Sequence, residues 1–124
     1  MNYERFVNYM LHPLITILFA HWVADFLFQT EAMALNKSKS MKWLTVHVLT
    51  YTIVLLGFSL LLLDWRAALL FAGINGALHG VTDFFTSKLT TVYHHNRRVF
   101  FIIIGLDQFI HAAALVMVWE YIRM

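Results

Sequence analysis

Four long apolar segments separated by short polar ones dominate the chain. They cover residues 9–29, 43–63, 67–89 and 99–122. Each has about the 20 residues that an α-helix needs to cross the hydrocarbon core of a bilayer. Only residues 64–66 join the second segment to the third, so these two must run antiparallel. The pattern predicts one all-α domain over residues 1–124, a four-transmembrane-helix bundle with up-down-up-down topology.

The composition supports a membrane protein and excludes several functional classes. Apolar residues make up 60% of the 124 residues and charged residues only 13%, about half the share in a soluble domain. Because no basic helix carries interleaved aromatic residues, we expect no nucleic-acid partner. The lack of cysteine excludes disulfides, thiolate metal ligands and a cysteine nucleophile. The expected partner is the lipid bilayer, and so small a bundle could also form a homo-oligomer.

Basic residues predict the orientation of the chain in the membrane. Six of them lie beside the two long connections: Lys37, Lys39, Lys42, Lys88, Arg97 and Arg98. At the other ends of the segments, each arginine is balanced by a nearby acidic residue. The positive-inside rule therefore places both long connections in the cytoplasm and both termini outside. The expected location is the inner, cytoplasmic membrane of a bacterium.

Seven ionisable side chains interrupt the apolar segments. They are His21, Asp25, His47, His79, Asp83, Asp107 and His111. A charged carboxylate at the centre of a bilayer costs about 2.5–3.5 kcal/mol on insertion scales, so such groups usually face a partner or a water-filled cavity. Three segments carry a His and an Asp four residues apart, which places both on one helix face. Counted from the predicted cytoplasmic helix ends, the seven fall into two adjoining layers, and we expect them to converge.

Divalent metal binding is the chemistry that this cluster predicts. Imidazole and carboxylate ligands without thiolates suit Zn²⁺, Mn²⁺ or Fe²⁺. Seven ligands suffice for two ions that share a bridging carboxylate, an arrangement used to activate water. All seven residues are predicted metal ligands, and Asp25, Asp83 and Asp107 are the candidates for a catalytic general base. The same residues could instead form a proton or ion pathway, or a hydrogen-bond network that only holds the helices together.

Further polar residues surround the predicted layers. Within the segments they are Tyr51, Asn75 and Gln108, and at the cytoplasmic ends they are Gln29, Lys37, Thr86 and Lys88. The first group could orient metal ligands by hydrogen bonding or simply link helices. The second group could contact an anionic or lipid-linked substrate, although lysines at this level are also ordinary topology signals. The remaining histidines, His12, His94 and His95, lie outside the predicted layers.

A short motif occurs twice in the chain. HWVADF at residues 21–26 recurs as HGVTDF at residues 79–84. Each copy is followed by a further polar residue in the next segment, His47 and Asp107 respectively. Two helical hairpins related by a pseudo-twofold axis would produce this pattern, and so would coincidence.

Five sequence blocks carry a resemblance to a known family. They are HWVADFLFQT, NKSKS, WLTVH, NGALHGVTDFFTSKLT and FFIIIGLDQFIH. These blocks closely resemble the signature of a small bacterial and phage integral-membrane family known only as a domain of unknown function. The resemblance covers nearly the whole chain and implies membership without an activity. More distantly, the intramembrane His/Asp pattern is similar to that of the inner-membrane, metal-dependent hydrolases described as LexA-binding.

A metal-dependent membrane hydrolase is the function that these observations favour. We expect it to act on an ester or phosphoester, including lipid-linked ones, with one or two divalent ions as cofactor. A metal-ion or proton transporter is the alternative, but it would need polar residues through the outer leaflet. There, residues 55–63, 67–71 and 112–118 are almost wholly apolar. A regulatory or partner-binding membrane protein is a further alternative.

Overall fold

A computed structural model describes residues 2–124, apart from the side chain of Met10. The elements are α1 (Tyr3–Trp22), which continues into a π-helical turn (Val23–Leu27), then α2 (Glu31–Asn36), α3 (Met41–Ser59), α4 (Trp65–Val92) and α5 (Arg97–Arg123). About 85% of the chain is helical, and residues 2–124 contain no strand. The predicted all-α class is therefore confirmed.

The four long helices form an up-down-up-down bundle. In cyclic order they are α1, α3, α4 and α5, and each packs against the two beside it. All four are long and apolar enough to cross a membrane, which confirms the predicted four-helix transmembrane fold. Large apolar side chains such as Ile53 and Phe109 are more than half exposed on the outside of the bundle. An apolar surface of this extent is what a bilayer would cover.

The connection between α3 and α4 shows how α3 ends and how α4 begins. The Ser59 carbonyl accepts the N–H groups of Leu62 and Leu63 at 3.0 and 2.9 Å, so α3 closes in a turn. At the start of α4, Asp64 Oδ1 accepts the N–H groups of Arg66 and Ala67 at 3.0 and 3.1 Å, a side-chain N-cap. The predicted second segment ran through residue 63, whereas the helix ends four residues earlier. Hydropathy does not register this end, because residues 60–63 are all leucine.

The first long connection contains a helix that the hydropathy pattern does not predict. The membrane helix ends at Leu27, and Thr30 Oγ1 caps α2 by accepting the Met33 N–H at 3.2 Å. The buried Met33 side chain fixes α2 to the bundle. Farther along, Ser38 meets the last turn of α4, where its Oγ accepts from the Thr91 hydroxyl at 3.1 Å. The second predicted long connection is only residues 93–96, because α4 continues through Val92. Both of these connections therefore lie at the same end of the bundle, with α2 beside them.

The interior of the bundle has an apolar half and a polar half. In the apolar half, Leu55, Phe71, Leu115 and Trp119 are at most 3% exposed. The rings of Phe71 and Trp119 meet edge to face, with centroids 6.0 Å apart. The polar half lies toward the two long connections and contains all seven predicted ligands. Six of these are buried and Asp107 is half-buried.

Close packing of α3 against α4 depends on Gly76. A Cβ atom at Gly76 would collide with the side chain of Thr52, whereas a Cβ at Gly73 would meet nothing within 4 Å. We predict that Gly76→Leu lowers the free energy of unfolding by about 1–3 kcal/mol, the usual cost of overpacking. Thermal unfolding in detergent measures this loss. Gly73→Leu is the matched control and should be neutral or stabilising, because leucine favours helix; equal losses in both variants would contradict this packing.

The orientation of the bundle stays a prediction, and the lack of native cysteine makes it simple to test. Lys39→Cys lies in the connection before α3, and Met124→Cys lies at the opposite end of the bundle. An impermeant maleimide should label Met124→Cys in intact spheroplasts and Lys39→Cys only after permeabilisation, as the positive-inside rule requires. Labelling of Lys39→Cys without permeabilisation would mean that the orientation is reversed.

Candidate metal centre

Four helices direct the seven predicted ligands into the polar half. His21 lies on α1 and Asp25 in the π-helical turn, His47 on α3, His79 and Asp83 on α4, and Asp107 and His111 on α5. A π-helical turn adds a residue to the helical repeat and is frequent at functional sites. Here it sets the direction of the Asp25 side chain. Asp83, the counterpart of Asp25 in the repeated motif, lies in regular α-helix, so the two copies differ in backbone.

Asp25, His47, His79 and Asp83 form what we call the inner group. All four are buried, and one ligand atom from each lies within 4.8 Å of the other three. The Nε2 atoms of His47 and His79 are 3.0 Å apart. His47 Nε2 is 3.1 Å from both Asp25 Oδ1 and Asp83 Oδ2. His79 Nε2 is 3.5 and 3.4 Å from the same two oxygens.

Five of the six spacings between these ligand atoms are close to those of a tetrahedral coordination shell. Tetrahedral ligand atoms about 2.0–2.1 Å from a zinc ion lie about 3.3–3.4 Å from one another, and the five atom pairs of the inner group span 3.0–3.5 Å. Two neutral imidazole nitrogens that face each other can share only one proton, and both carboxylates beside them are acceptors. A cation between them would satisfy all four atoms. The inner group could therefore hold a metal ion.

Asp25, Asp107 and His111 form the outer group. Their ligand atoms also lie within 4.8 Å of one another, and His111 Nε2 is 3.3 Å from Asp107 Oδ2. Gln108 connects the two carboxylates, because its Nε2 donates to Asp25 Oδ2 at 3.2 Å and to Asp107 Oδ2 at 3.0 Å. Asp25 belongs to both groups. It is thus placed to act as a bridging carboxylate of the kind expected for two ions.

Asp83 links the two groups from the α4 side. Its Oδ1 is 3.1 Å from His111 Nε2, while its Oδ2 faces the two imidazoles of the inner group. Oδ2 also accepts a hydrogen bond from Lys37 Nζ at 2.9 Å. Lys37, predicted as a topology signal or a substrate contact, therefore neutralises a buried carboxylate of the site. A buried charge needs such a partner, since leaving it unpaired costs several kcal/mol.

Stacked rings hold His79 of the inner group in place. The His79 ring lies between Tyr51, with centroids 3.8 Å apart and planes 11° from parallel, and His111, at 4.1 Å and 26°. Within the described part of the chain, the Nδ1 atoms of His47 and His79 are buried without a hydrogen-bond partner. Metal-binding histidines usually donate the second ring N–H to a neighbouring group. For His79, ring stacking supplies the orientation instead.

His21 lies beside the two groups without joining either. Its Nδ1 is 2.9 Å from the Tyr51 hydroxyl and its Nε2 is 2.9 Å from Gln108 Oε1. Because an amide oxygen only accepts, we assign the proton to Nε2, which leaves Nδ1 to accept from Tyr51. Both ring nitrogens are then satisfied, and the nearest oxygen of Asp25 is 3.8 Å from Nε2. In this arrangement His21 positions Tyr51 and Gln108.

The other residues predicted around the site differ in the contacts that they make. Thr86 donates to Asp107 Oδ1 at 2.5 Å and so orients the outer group. Asn75 is buried and donates to the Phe71 carbonyl within α4. Lys88 Nζ reaches the Ser38 carbonyl at 3.3 Å, above the Phe84 ring. Gln29 lines the cleft described next, and its Oε1 is buried without a hydrogen-bond partner among the described residues.

A cleft of about 610 Å³ leads to the outer group from the end of the bundle that carries the long connections. Asp25, Asp107 and Gln108 line its deep end. Of the seven predicted ligands, Asp25 and Asp107 line the cleft, whereas His47, His79, Asp83 and His111 do not. In zinc proteins, structural sites are closed and catalytic sites keep an open position.

Several cleft residues were not predicted from the sequence. The polar ones that line the cleft are Lys39, Thr90, Thr91 and His94. Of these, His94 lies outside the layers that the sequence predicts. The basic loop composition could have suggested Lys39 and His94. The apolar walls of the cleft could not be predicted from the sequence, because their residues do not differ from the other apolar residues of the chain. These residues are Phe26, Leu35, Phe100 and Ile104.

These features define the class of the protein. The four apolar helices fit an integral membrane protein, with a buried His/Asp cluster in one half that could hold a metal ion. The chain belongs to the family described as "Protein of unknown function (DUF3307)", whose model matches residues 13–124. That family is uncharacterised, which agrees with the resemblance of the sequence blocks. No curated protein and no solved structure matches the chain.

Metal content tests whether the inner group binds an ion. We predict that protein purified in detergent carries about one or two equivalents of a divalent transition metal, and that His47→Ala loses most of it because one of four ligands is gone. Elemental analysis measures this content. His12→Ala, an exposed histidine outside the site, is the control and should retain the metal.

If His47→Ala does not fold, Asp83→Asn serves as the second variant because it keeps the shape of the side chain. Wild-type protein without metal, or with an amount that neither site variant changes, would contradict the assignment.

Proposed function

We propose that this protein is a metal-dependent phosphoester hydrolase that acts at the cytoplasmic face of a bacterial inner membrane. One observation carries the proposal: two groups of candidate ligands share Asp25, and a cleft reaches that residue and Asp107 of the outer group. An inner ion would be held by Asp25, His47, His79 and Asp83. An outer ion would be held by Asp25 and His111, which leaves Asp107 free to act as a general base. Ions held in this way would polarise a phosphoryl oxygen and activate water.

Asp107 is the group best placed to move a proton. It lines the cleft, and of the seven predicted ligands it is the one that is only half-buried. Thr86 bonds its Oδ1 and Gln108 its Oδ2, so the carboxylate is held in a fixed direction. In the proposed reaction a water oxygen bonds to phosphorus and the bond from phosphorus to the ester oxygen breaks. Asp107 accepts a proton from the water and returns it to the departing alkoxide, which leaves as an alcohol.

The cleft favours an anionic phosphoester over a neutral carboxylic ester. Lys37 and Lys39 both line it, and Lys37 Nζ already lies 2.9 Å from Asp83 Oδ2. The Ser38 hydroxyl adds a donor along the same wall, because its oxygen accepts from Thr91 and its own hydrogen is left for a substrate oxygen. Lysine ammonium groups and hydroxyls are ordinary partners of phosphate oxygens. Lys37 is already paired with Asp83, so Lys39 is the ammonium group that a neutral ester would leave without a role in binding.

Transport is the weaker proposal because the other half of the bundle is closed. Beyond the polar cluster, Leu55, Phe71 and Leu115 are completely buried. A pathway for ions or protons needs polar groups that continue across the membrane. In the described structure the far interior is instead an apolar core, so the cluster opens to one side.

Hydrolysis by reconstituted protein tests the proposal. Chelator-treated protein in liposomes should regain p-nitrophenyl phosphatase activity when Zn²⁺, Mn²⁺ or Fe²⁺ is restored. We predict that Asp107→Asn lowers kcat about 100- to 10,000-fold, the usual contribution of a general base, while the metal of the inner group is retained. Glu120→Gln is the control, because Glu120 lies at the opposite end of α5.

Two results would count against the hydrolase. Metal-loaded protein that releases phosphate from neither a soluble nor a lipid-linked phosphoester, with any of the three metals, would overturn it. Metal flux into the liposomes, abolished by Asp83→Asn, would establish transport in its place.

A further inference from the structure

The bundle is open on one side beside the outer group. Over residues 2–124, no Cα atom of the π-helical turn lies within 8 Å of a Cα atom of α5, and none of α2 does either. By contrast, α5 packs along α4, and the π-helical turn packs against α3. The turn and α5 are therefore separated at the level of the cleft, on a side of the bundle that would face lipid.

Gln108 bridges this gap at its deep end. Its side chain extends from α5 to Asp25 Oδ2 and to His21 Nε2. The candidate ligands lie directly behind it, since Gln108 Nε2 also contacts Asp107 Oδ2 at 3.0 Å. A molecule that enters between the turn and α5 would thus meet the outer group first.

The walls of the opening are apolar while its rim is basic. Phe26 comes from the π-helical turn, and Phe100 and Ile104 come from the first turns of α5. Phe26 is 48% exposed on the outside of the bundle. At the rim, Lys37 and Lys39 lie on the connection between α2 and α3. A water-soluble substrate that arrives from the cytoplasm would make no favourable contact with apolar walls that continue to the bilayer surface.

We propose that the substrate is a membrane lipid with a terminal phosphate group, which enters sideways from the leaflet next to the basic connections. This inference rests on the proposed hydrolase function and specifies its substrate class. The acyl chains lie against Phe26, Phe100 and Ile104, where they remain partly in the bilayer. The phosphate lies between the two lysines and the outer group. A terminal phosphate carries about two negative charges near neutral pH. Lys39 supplies an ammonium group to it, while Lys37 stays paired with Asp83 at the rim.

A binding experiment tests the lateral entry without relying on turnover. The full chain is placed in phosphatidylcholine nanodiscs that contain phosphatidic acid with a photoreactive group near the glycerol end of one acyl chain. Crosslinks mapped by mass spectrometry should fall on Phe26, Phe100 or Ile104. Ile104→Trp should narrow the opening and lower the yield of lipid crosslinks about tenfold. A tenfold loss corresponds to the loss of an apolar contact of moderate size.

Ile102→Trp is the matched control for this experiment. Ile102 lies on the same helix, is 58% exposed and does not line the cleft, so the yield should not change. Crosslinks spread evenly around the bundle, or an unchanged yield in Ile104→Trp, would overturn the proposal. Crosslinking of a second protein copy at these residues would also overturn it, since the opening would then be a protein contact.

A comparison of two substrates separates this inference from the proposed function. Phosphatidic acid and glycerol 3-phosphate share a phosphate ester and differ in the acyl chains. We expect phosphate release from the lipid, reduced about tenfold by Ile104→Trp, and much slower release from glycerol 3-phosphate.

Equal hydrolysis of both substrates, unaffected by Ile104→Trp, would overturn the lipid proposal and leave the hydrolase intact. Release from neither substrate by metal-loaded protein, nor from p-nitrophenyl phosphate, would overturn the hydrolase and the lipid substrate with it.

Discussion

Two buried carboxylates that face the same pair of imidazoles are the constraint on which this structure depends. Asp25 and Asp83 are each at most 4% exposed, and both approach the facing Nε2 atoms of His47 and His79. Their negative charge needs compensation inside an apolar bundle. Lys37 provides part of it, which ties the first long connection to the centre of the bundle. A metal ion between the four ligand atoms would provide the rest, at the spacing that they already have.

The two buried carboxylates also explain why the interior of the bundle has a polar half and an apolar half. Around the carboxylates, hydrogen bonds and stacked rings connect all four membrane helices, while beyond them an apolar core closes the bundle. A polar cluster that opens to one side only is suited to chemistry on a molecule that arrives and leaves by that side. Asp25 joins the two groups, and both it and Asp107 line the cleft. In the proposed hydrolase the reaction would take place beside these two carboxylates, and the gap beside α5 would give a lipid access to them.

Sequence periodicity predicted the four helices, because the thickness of a bilayer fixes the length of a membrane helix. The spacing of the polar residues predicted that they lie in two adjoining layers, because the helical repeat fixes the rise per residue. Periodicity and spacing could not predict the π-helical turn at Asp25, since hydropathy does not distinguish such a turn from regular α-helix. They also could not separate His21 from the ligand groups, because its bonds to Tyr51 and Gln108 depend on how α1, α3 and α5 meet. The contact of Lys37 with Asp83 likewise depends on the path of a polar connection that hydropathy does not describe.

The nature of the inner coordination shell tests this account most directly. X-ray absorption spectroscopy at the edge of the bound metal, on full-length protein in detergent, reports the ligand types and their distances. For zinc we expect a four-coordinate shell of nitrogen and oxygen at about 2.0–2.1 Å, with the outer-shell scattering of about two imidazoles. A six-coordinate shell of oxygen alone, without imidazole scattering, would show that the ion is not held by His47 and His79 and would contradict the account.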